Sequence, residues 1–181
     1  KLFKNRNARM EIVLMALIKL NNSSRSAVTS AGLPTGSVLQ VKQTILSTAW
    51  SSNSTTWDNT PLVVSITPSS LSNKILVNVN AWYATQFWNN NPYIRLVRDS
   101  TTISFNDSYR HPRPQYDSTR DANQGYPVLM NILDTPATTS SVTYALQAQS
   151  GNSSYYMHLN RSDSASTAWA QSMITVTEIA G

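Results

Sequence analysis

The sequence predicts an all-β protein, an antiparallel double-sheet jelly-roll sandwich preceded by an N-terminal arm. The first observation is composition: 26 Ser, 19 Thr and 17 Asn make up 62 of the 181 residues, whereas Gly supplies 5 and Pro 8. This composition excludes a helical bundle and a Gly- or Pro-rich linker. The second is that apolar residues alternate with a period of two, and no segment after residue 37 keeps a helical period. The third is the aromatic content, 5 Trp, 8 Tyr and 3 Phe, which supplies apolar surface for a folded core.

The charge distribution separates an arm from a domain. The formal net charge is +5, and it lies in the first 25 residues, where six Lys and Arg stand against one Glu. Residues 26–181 hold eight basic and eight acidic side chains. Because a surface that binds phosphate backbones carries a basic excess on the domain itself, we expect no nucleic-acid partner. Residues 1–36 are therefore predicted to be an arm ending in a polar linker, and residues 37–181 the jelly-roll domain.

The arm contains seven consecutive apolar residues, 12–18, and allows three interpretations. It is similar to a minimal signal-peptide core, although Lys19 follows at once. It also fits an amphipathic segment that docks on a neighbouring subunit or a larger assembly. The third interpretation takes Met15 as the true start, and the sequence does not decide between the second and the third. Since a membrane-spanning helix needs about 20 residues, no membrane insertion is expected.

The predicted strands follow one another along the domain. Residues 74–82 form the clearest one, because apolar and polar positions alternate as a half-buried strand requires. The others contain, in chain order, Leu39, Val41 and Ile45; residues 62–66, 93–97 and 128–133; Val142, Tyr144, Leu146 and Ala148; Tyr155, Met157 and Leu159; and residues 173–179. This last strand is expected either in the centre of its sheet or between its sheet and a neighbouring subunit.

Turn signals separate these strands, at residues 99–100, 134–136 and 150–152, and the last of them is expected to close a hairpin. About eight antiparallel strands in this length favour a jelly roll, with an immunoglobulin-like sandwich or a small barrel as alternatives.

Residues suited to catalysis are few. The chain has no Cys, which excludes a Cys–His nucleophile pair and a thiolate metal site. His111 lies between Arg110 and Arg113, and His158 lies on the strand face opposite its apolar neighbours, so no metal and no cofactor is expected. Glu178 is the one acidic residue within a clearly apolar strand, where a salt-bridged structural group is expected. We therefore expect no enzymatic activity.

Residues 106–126 form the most informative segment. They hold three Arg, three Asp and three Tyr, which is six of the sixteen charges of the domain. Long loops in compact domains are often functional, and Tyr and Arg supply much of the binding energy at recognition surfaces. The candidate recognition or intersubunit residues are Tyr109, Arg110, Arg113, Tyr116, Arg120 and Tyr126. The alternative is a solvated loop whose Arg and Asp side chains pair with one another.

A second candidate is an aromatic platform of Trp82 and Trp88, followed by residues 89–91, which are all Asn. Such aromatics stack on sugars in binding sites, and elsewhere they fill cores and subunit interfaces. Trp50 and Trp57, which bracket the polar residues 51–56, share the same two interpretations.

Several phrases of the sequence together resemble virion structural proteins of tailed phages, especially marine ones. They are MALIKLNN at residues 15–22, LPTGSVLQV at 33–41, STTWDNTPLVVSITPSSLSNKILV at 54–77 and ITVTEIAG at 174–181. The resemblance extends over nearly the whole chain from Met15 and marks a structural family rather than an active site. It favours Met15 as the usual start, so that residues 1–14 depart from the family.

The resemblance implies a jelly-roll head of the tumour-necrosis-factor or complement-globular type. Such heads form homotrimers and are joined to other virion proteins by an N-terminal arm, here residues 1–36. Members belong variously to tail fibres, head fibres and capsid decoration, so the position in the particle does not carry over.

The expected function is that of a non-enzymatic virion component. It would be made in the reducing cytoplasm of the host, as the absence of Cys suits, with its outer loops facing solvent or a host-surface glycan. The alternative is a carbohydrate-binding module that uses Trp82 and Trp88.

Overall fold

The structure, a computed structural model, describes residues 33–85, 90, 92–104, 125–162 and 167–181. These residues contain ten strands and no helix. The strands are β1 (Val38–Leu46), β2 (Trp50–Ser52), β3 (Asp58–Ile66), β4 (Lys74–Thr85), β5 (Tyr93–Arg98), β6 (Thr101–Thr102), β7 (Gly125–Asp134), β8 (Val142–Gln149), β9 (Met157–Leu159) and β10 (Ser172–Ile179). Residues 1–32, most of the predicted arm, lie outside the described part of the chain.

The larger sheet has six strands, in the order β1-β10-β4-β9-β2, with β7 paired to β4. Tyr83 and Ala84 of β4 pair with both β9 and β7, so these two strands lie on opposite edges of β4. Strands β10 and β9 therefore follow one another along a single edge of β4, and β1 and β2 do the same beyond them. The sheet is thus four strands wide over most of its length.

The smaller sheet has four strands, in the order β3-β8-β5-β6. Every pairing recorded in the two sheets is antiparallel. Neighbouring strands come from distant parts of the chain, β1 beside β10 and β3 beside β8, as in a jelly roll. The predicted fold class, an all-β antiparallel double-sheet sandwich, is confirmed.

The core lies between the inner faces of the two sheets, as the alternation of β4 and β8 predicts. In β4, Ile75, Val77, Val79 and Ala81 are buried while the residues between them are not. In β8, the predicted set of Val142, Tyr144, Leu146 and Ala148 is buried. Both strands are central in their sheets, so each gives one whole face to the core.

Polar contacts close the sandwich at its sides. Where the edge strands β1 and β3 meet, Gln40 Nε2 donates to Thr67 O at 2.8 Å and Thr44 Oγ1 donates to Val63 O at 2.7 Å. These donors occupy carbonyl groups at the edge that β3 leaves unpaired.

Asp134, the last residue of β7, connects the two sheets at another point. Its two carboxylate oxygens accept from Arg98 Nη1 at 2.8 and 2.6 Å, and one of them also accepts from Tyr144 OH at 2.7 Å. Burial, together with the hydrogen bond to Asp134, raises the pKa of the Tyr144 phenol, so this donor keeps its proton.

Two expectations about the strands are wrong. The turn at residues 150–152 does not close a hairpin, because β8 pairs with β3 and β5 in one sheet while β9 pairs with β2 and β4 in the other. In β1, Val41 and Ile45 are exposed and point away from the core, which receives Leu46 instead. The last strand has the central position in its sheet that was one of the two expected, since β10 lies between β1 and β4; contact of this strand with a neighbouring subunit stays a prediction.

Candidate functional site

The outer face of the six-stranded sheet consists of the side chains of β1, β10, β4 and β7 that point away from the core. The strand registers align them in three rows across the four strands. The rows are Ile45, Met173, Asn80 and Leu129; then Gln43, Thr175, Asn78 and Asn131; then Val41, Thr177, Leu76 and Leu133. The first and third rows are mainly apolar. We call this surface, together with Val38 and Ile179 at its end, the apolar face.

The apolar face is open to solvent in the single chain. Nine large hydrophobic side chains are exposed among the described residues, and five of them lie here with exposed fractions from 52% to 66%. These five are Val38, Val41, Ile45, Leu129 and Leu133. Single exposed apolar residues are normal on a soluble protein, but a contiguous patch of them marks an interaction surface.

The polar middle row is hydrogen-bonded within itself. Gln43 Nε2 donates to Thr175 Oγ1 at 2.9 Å, and Asn78 Nδ2 donates to Asn131 Oδ1 at 2.5 Å. Burying a polar group costs free energy chiefly when its hydrogen bonds are left unmade. Because these bonds lie within the sheet, a partner that covers the row does not break them.

Charge is nearly absent from the apolar face. None of the twelve side chains in its three rows is charged, and Lys74 stands at the end next to Ile179. Two copies of such a surface meet without like-charge repulsion and without the desolvation of ions. The face is therefore suited to contact with neighbouring copies of the chain.

Aromatic rings continue the apolar face at its other end. Trp82 lies on the same side of β4 as Asn80, and the ring of Trp169 meets it edge-on at a centroid distance of 5.9 Å. The indole of Trp82 lies over Gly125, and its Nε1 is buried without a hydrogen-bond partner. Trp88 lies outside the described residues, so the predicted platform of Trp82 and Trp88 stays a prediction.

The outer face of the four-stranded sheet has a different chemistry. None of the nine exposed large hydrophobics lies in its strands. Its cross-strand contacts are polar, such as the hydrogen bond of 2.9 Å between the hydroxyls of Ser65 and Thr143. The two outer faces of the sandwich thus differ, since exposed large hydrophobic side chains lie on the strands of one and not on those of the other.

The predicted recognition loop is placed only in part. Tyr109, Arg110, Arg113, Tyr116 and Arg120 lie outside the described residues, and their role stays a prediction. Tyr126 is not a loop residue, because β7 begins at Gly125. There it pairs with Tyr83, with ring centroids 5.7 Å apart, and packs against the core.

The other tryptophans have separate environments. Trp50, in β2, is partly buried and packs against the core. Trp57, just before β3, contacts Arg95 and Tyr93 over the outer face of the four-stranded sheet.

The titratable groups singled out from the sequence have structural contacts. Glu178 is fully buried, and among the described residues the expected salt bridge is not found, since its carboxylate accepts from neutral donors of Gln40, Ser69 and Asn73. His158 is buried in β9, and its Nδ1 lies 2.8 Å from Ser51 Oγ of β2.

Within the described part of the chain, no group of three or more acidic or histidine side chains lies close enough to hold a metal ion. No helix among the same residues has the length and apolar character needed to cross a membrane.

The strands predicted from the sequence did not indicate that one sheet has an apolar outer face. Its signal is present in the sequence, since residues 128–133 are apolar at both even and odd positions apart from Asn131. A strand with apolar residues on both faces is typical of one buried on both sides.

Comparison of this chain with protein-family models finds no match, and comparison with curated proteins finds none.

Proposed function

We propose that this protein is a non-enzymatic structural subunit of a tailed-phage particle, and that it assembles as a homotrimer through the apolar face. The observation that carries the proposal is the uncharged outer face of the six-stranded sheet, on which five exposed large hydrophobic side chains lie. The number of subunits comes from the sequence resemblance to virion proteins with trimeric jelly-roll heads.

The size of the apolar face suits assembly. Strands about 4.8 Å apart and residues about 3.3 Å apart give a sheet four strands wide and nine residues long an area on the order of 600 Å². Six of the twelve side chains in its three rows are apolar, and an apolar patch of a few hundred Å² is often an interaction site. With the relief of its side chains, the face approaches the roughly 800 Å² that each partner buries in a stable interface.

The placement in a phage particle is supported by sequence features. The phrases at residues 15–22, 33–41, 54–77 and 174–181 resemble virion proteins, and the domain is neutral and rich in Ser, Thr and Asn. In this proposal residues 1–36 anchor the subunit to other virion proteins. The particle component is a tail fibre, a head fibre or a capsid decoration.

Charged substitutions on the apolar face test the assembly. Leu129→Glu and Ile45→Glu, on opposite edges of the face, should each lower the mass measured by light scattering from three subunits to one, since a buried unpaired carboxylate is costly. Leu71→Glu is the matched control, because Leu71 is 62% exposed and lies outside the two sheets. It should leave the mass unchanged.

Circular dichroism shows whether each variant keeps its β-structure. The assembly proposal fails if the wild type has the mass of one subunit at every concentration, or if both charged variants keep the wild-type mass. The particle assignment has its own test, because antibodies against the chain should label purified particles of the phage that encodes it. Unlabelled particles would contradict it.

A further inference from the structure

A cluster of planar side chains lies on the outer face of the four-stranded sheet, the polar side of the sandwich. Arg95 of β5, Gln147 of β8 and Asn59 of β3 form one row across three strands. Arg95 Nε donates to Gln147 Oε1 at 2.7 Å, and Gln147 Nε2 donates to Asn59 Oδ1 at 2.9 Å. These bonds hold one guanidinium and two amides in fixed orientations. With Trp57 and Tyr93, the row forms what we call the planar cluster.

The aromatic members of the planar cluster lie against this row. The guanidinium carbon of Arg95 is 4.1 Å from the centroid of the Trp57 ring. The Tyr93 ring meets Trp57 edge-on, with centroids 6.4 Å apart and an interplanar angle of 76°. Both rings are half-buried, so part of each faces solvent. A ring fixed in this way by stacking loses little further freedom when a ligand packs on it.

We infer that the planar cluster binds a neutral hexopyranose unit of a glycan. A pyranose ring has a face of C–H groups, which packs on an aromatic ring, and a rim of hydroxyls that both donate and accept. The amides of Gln147 and Asn59 combine donors and acceptors in the same way. This binding site goes beyond the assembly role and lies on the other sheet.

Other classes of ligand match the planar cluster less well. Only Arg95 among its five members is charged, whereas a phosphate backbone requires a basic surface. Among the described residues, no exposed large hydrophobic side chain lies in a strand of this sheet, which is a poor match to the apolar centre of a protein interface. A neutral polyol with one apolar face remains the best complement.

Saturation-transfer NMR on the full chain tests the site. The probes are the methyl glycosides of glucose, galactose and mannose, with a sialoside as the acidic comparison. We expect transfer to the ring protons of at least one neutral hexoside, and a dissociation constant in the millimolar range.

Substitutions inside and outside the planar cluster test whether the hexoside binds there. Trp57→Ala should weaken it about tenfold or more, as is usual for an aromatic anchor. Trp169→Ala is the matched control, because Trp169 is 52% exposed and lies beside Trp82 on the six-stranded sheet. It should leave the affinity unchanged. Gln147→Leu, which keeps the side-chain length and removes the amide, is the second test should Trp57→Ala alter the fold.

Three outcomes overturn the inference: no transfer from any neutral hexoside to the wild type, transfer from the sialoside alone, or an equal loss of binding in Trp169→Ala. Because the Trp169 ring adjoins the apolar face, light scattering on Trp169→Ala checks that its mass equals that of the wild type. Failure of this site and failure of the assembly proposal are then separate results.

Discussion

At the scale of single residues, Glu178 shows how neutral hydrogen-bond donors stabilise a buried charge in this fold. Its carboxylate accepts from Gln40 Nε2, Ser69 N and Asn73 Nδ2, each at 2.6 Å, and from Ser69 Oγ at 2.8 Å. Burial by itself would raise the pKa of Glu178, but the hydrogen bonds from Gln40, Asn73 and Ser69 outweigh it and the pKa is lowered. The carboxylate thereby connects β1, β10 and the segment before β4.

Replacing this carboxylate by an amide is predicted to destabilise the fold. In Glu178→Gln, one oxygen becomes an NH₂ group that faces a donor, so the free energy of unfolding at neutral pH should fall by about 2–3 kcal/mol. Urea unfolding measures the loss. Asp99→Asn is the control, since Asp99 is exposed with a φ of 51°, and Asn keeps both the acceptor for Thr143 N and the tolerance of that φ. Its effect should stay within about 0.5 kcal/mol.

The stability loss in Glu178→Gln is predicted to depend on pH. Because the folded pKa of Glu178 is lower than the unfolded one, its contribution is complete above the ordinary Glu value of about 4.3 and is lost as the pH falls through the folded pKa. The difference in stability between the wild type and Glu178→Gln should therefore narrow as the pH is lowered from 7 to 3. A difference that stays constant over this range would show that the charge of Glu178 is not the stabilising feature.

At the scale of strands, the sequence was informative about central strands and less so about edges and connections. Strands β4 and β8 have neighbours on both sides, so their alternation reports directly which face meets the core. Edge strand β1 is different, since Val41 and Ile45 alternate but point outward. Which face of an edge strand is buried depends on the sheet it joins, and local periodicity does not contain that information.

Turns have the same limitation. Residues 150–152 carry correct turn signals, but turn residues report that the chain reverses and not which strand it then pairs with.

The candidate site was predictable to the extent that strand β7 is apolar on both faces. Tyr126 was assigned to the loop because the Gly–Tyr pair at its end has no strand signal of its own, whereas pairing with β4 extends β7 back to Gly125.

The packing of the Trp82 indole against the start of β7 depends on Gly125. A β-carbon there would lie 1.9 Å from Nε1 of Trp82, so Gly125→Ala should displace the indole and cost about 1–3 kcal/mol of unfolding free energy. Intrinsic tryptophan fluorescence and urea unfolding follow the two effects. In a Trp82→Leu background the same substitution should cost less, with a coupling of about 1 kcal/mol or more. Additive costs in the double variant would show that the two side chains do not meet.

At the scale of the whole molecule, the outer faces of the two sheets are suited to different kinds of contact. The proposed assembly through the apolar face would cover the six-stranded sheet and not the four-stranded one. The planar cluster then stays accessible on every subunit, and several weak glycan contacts on one particle add up through effective concentration. In the two proposals, the same chain assembles through one sheet and binds a glycan on the other.

If the apolar face forms the trimer and the arm anchors it to the particle, removing the arm should affect particle binding and not the mass of the assembly. The described strands all lie in the compact unit Thr35–Gly181, so a protein that begins at Thr35 should fold and keep the three-subunit mass of the full chain, because the apolar face is intact. Light scattering of both proteins over a range of concentrations measures this, and binding to purified particles should be lost only in the shortened one. If the shortened protein has the mass of one subunit while the full chain has that of three, the assembly contacts belong to Lys1–Pro34 and not to the apolar face.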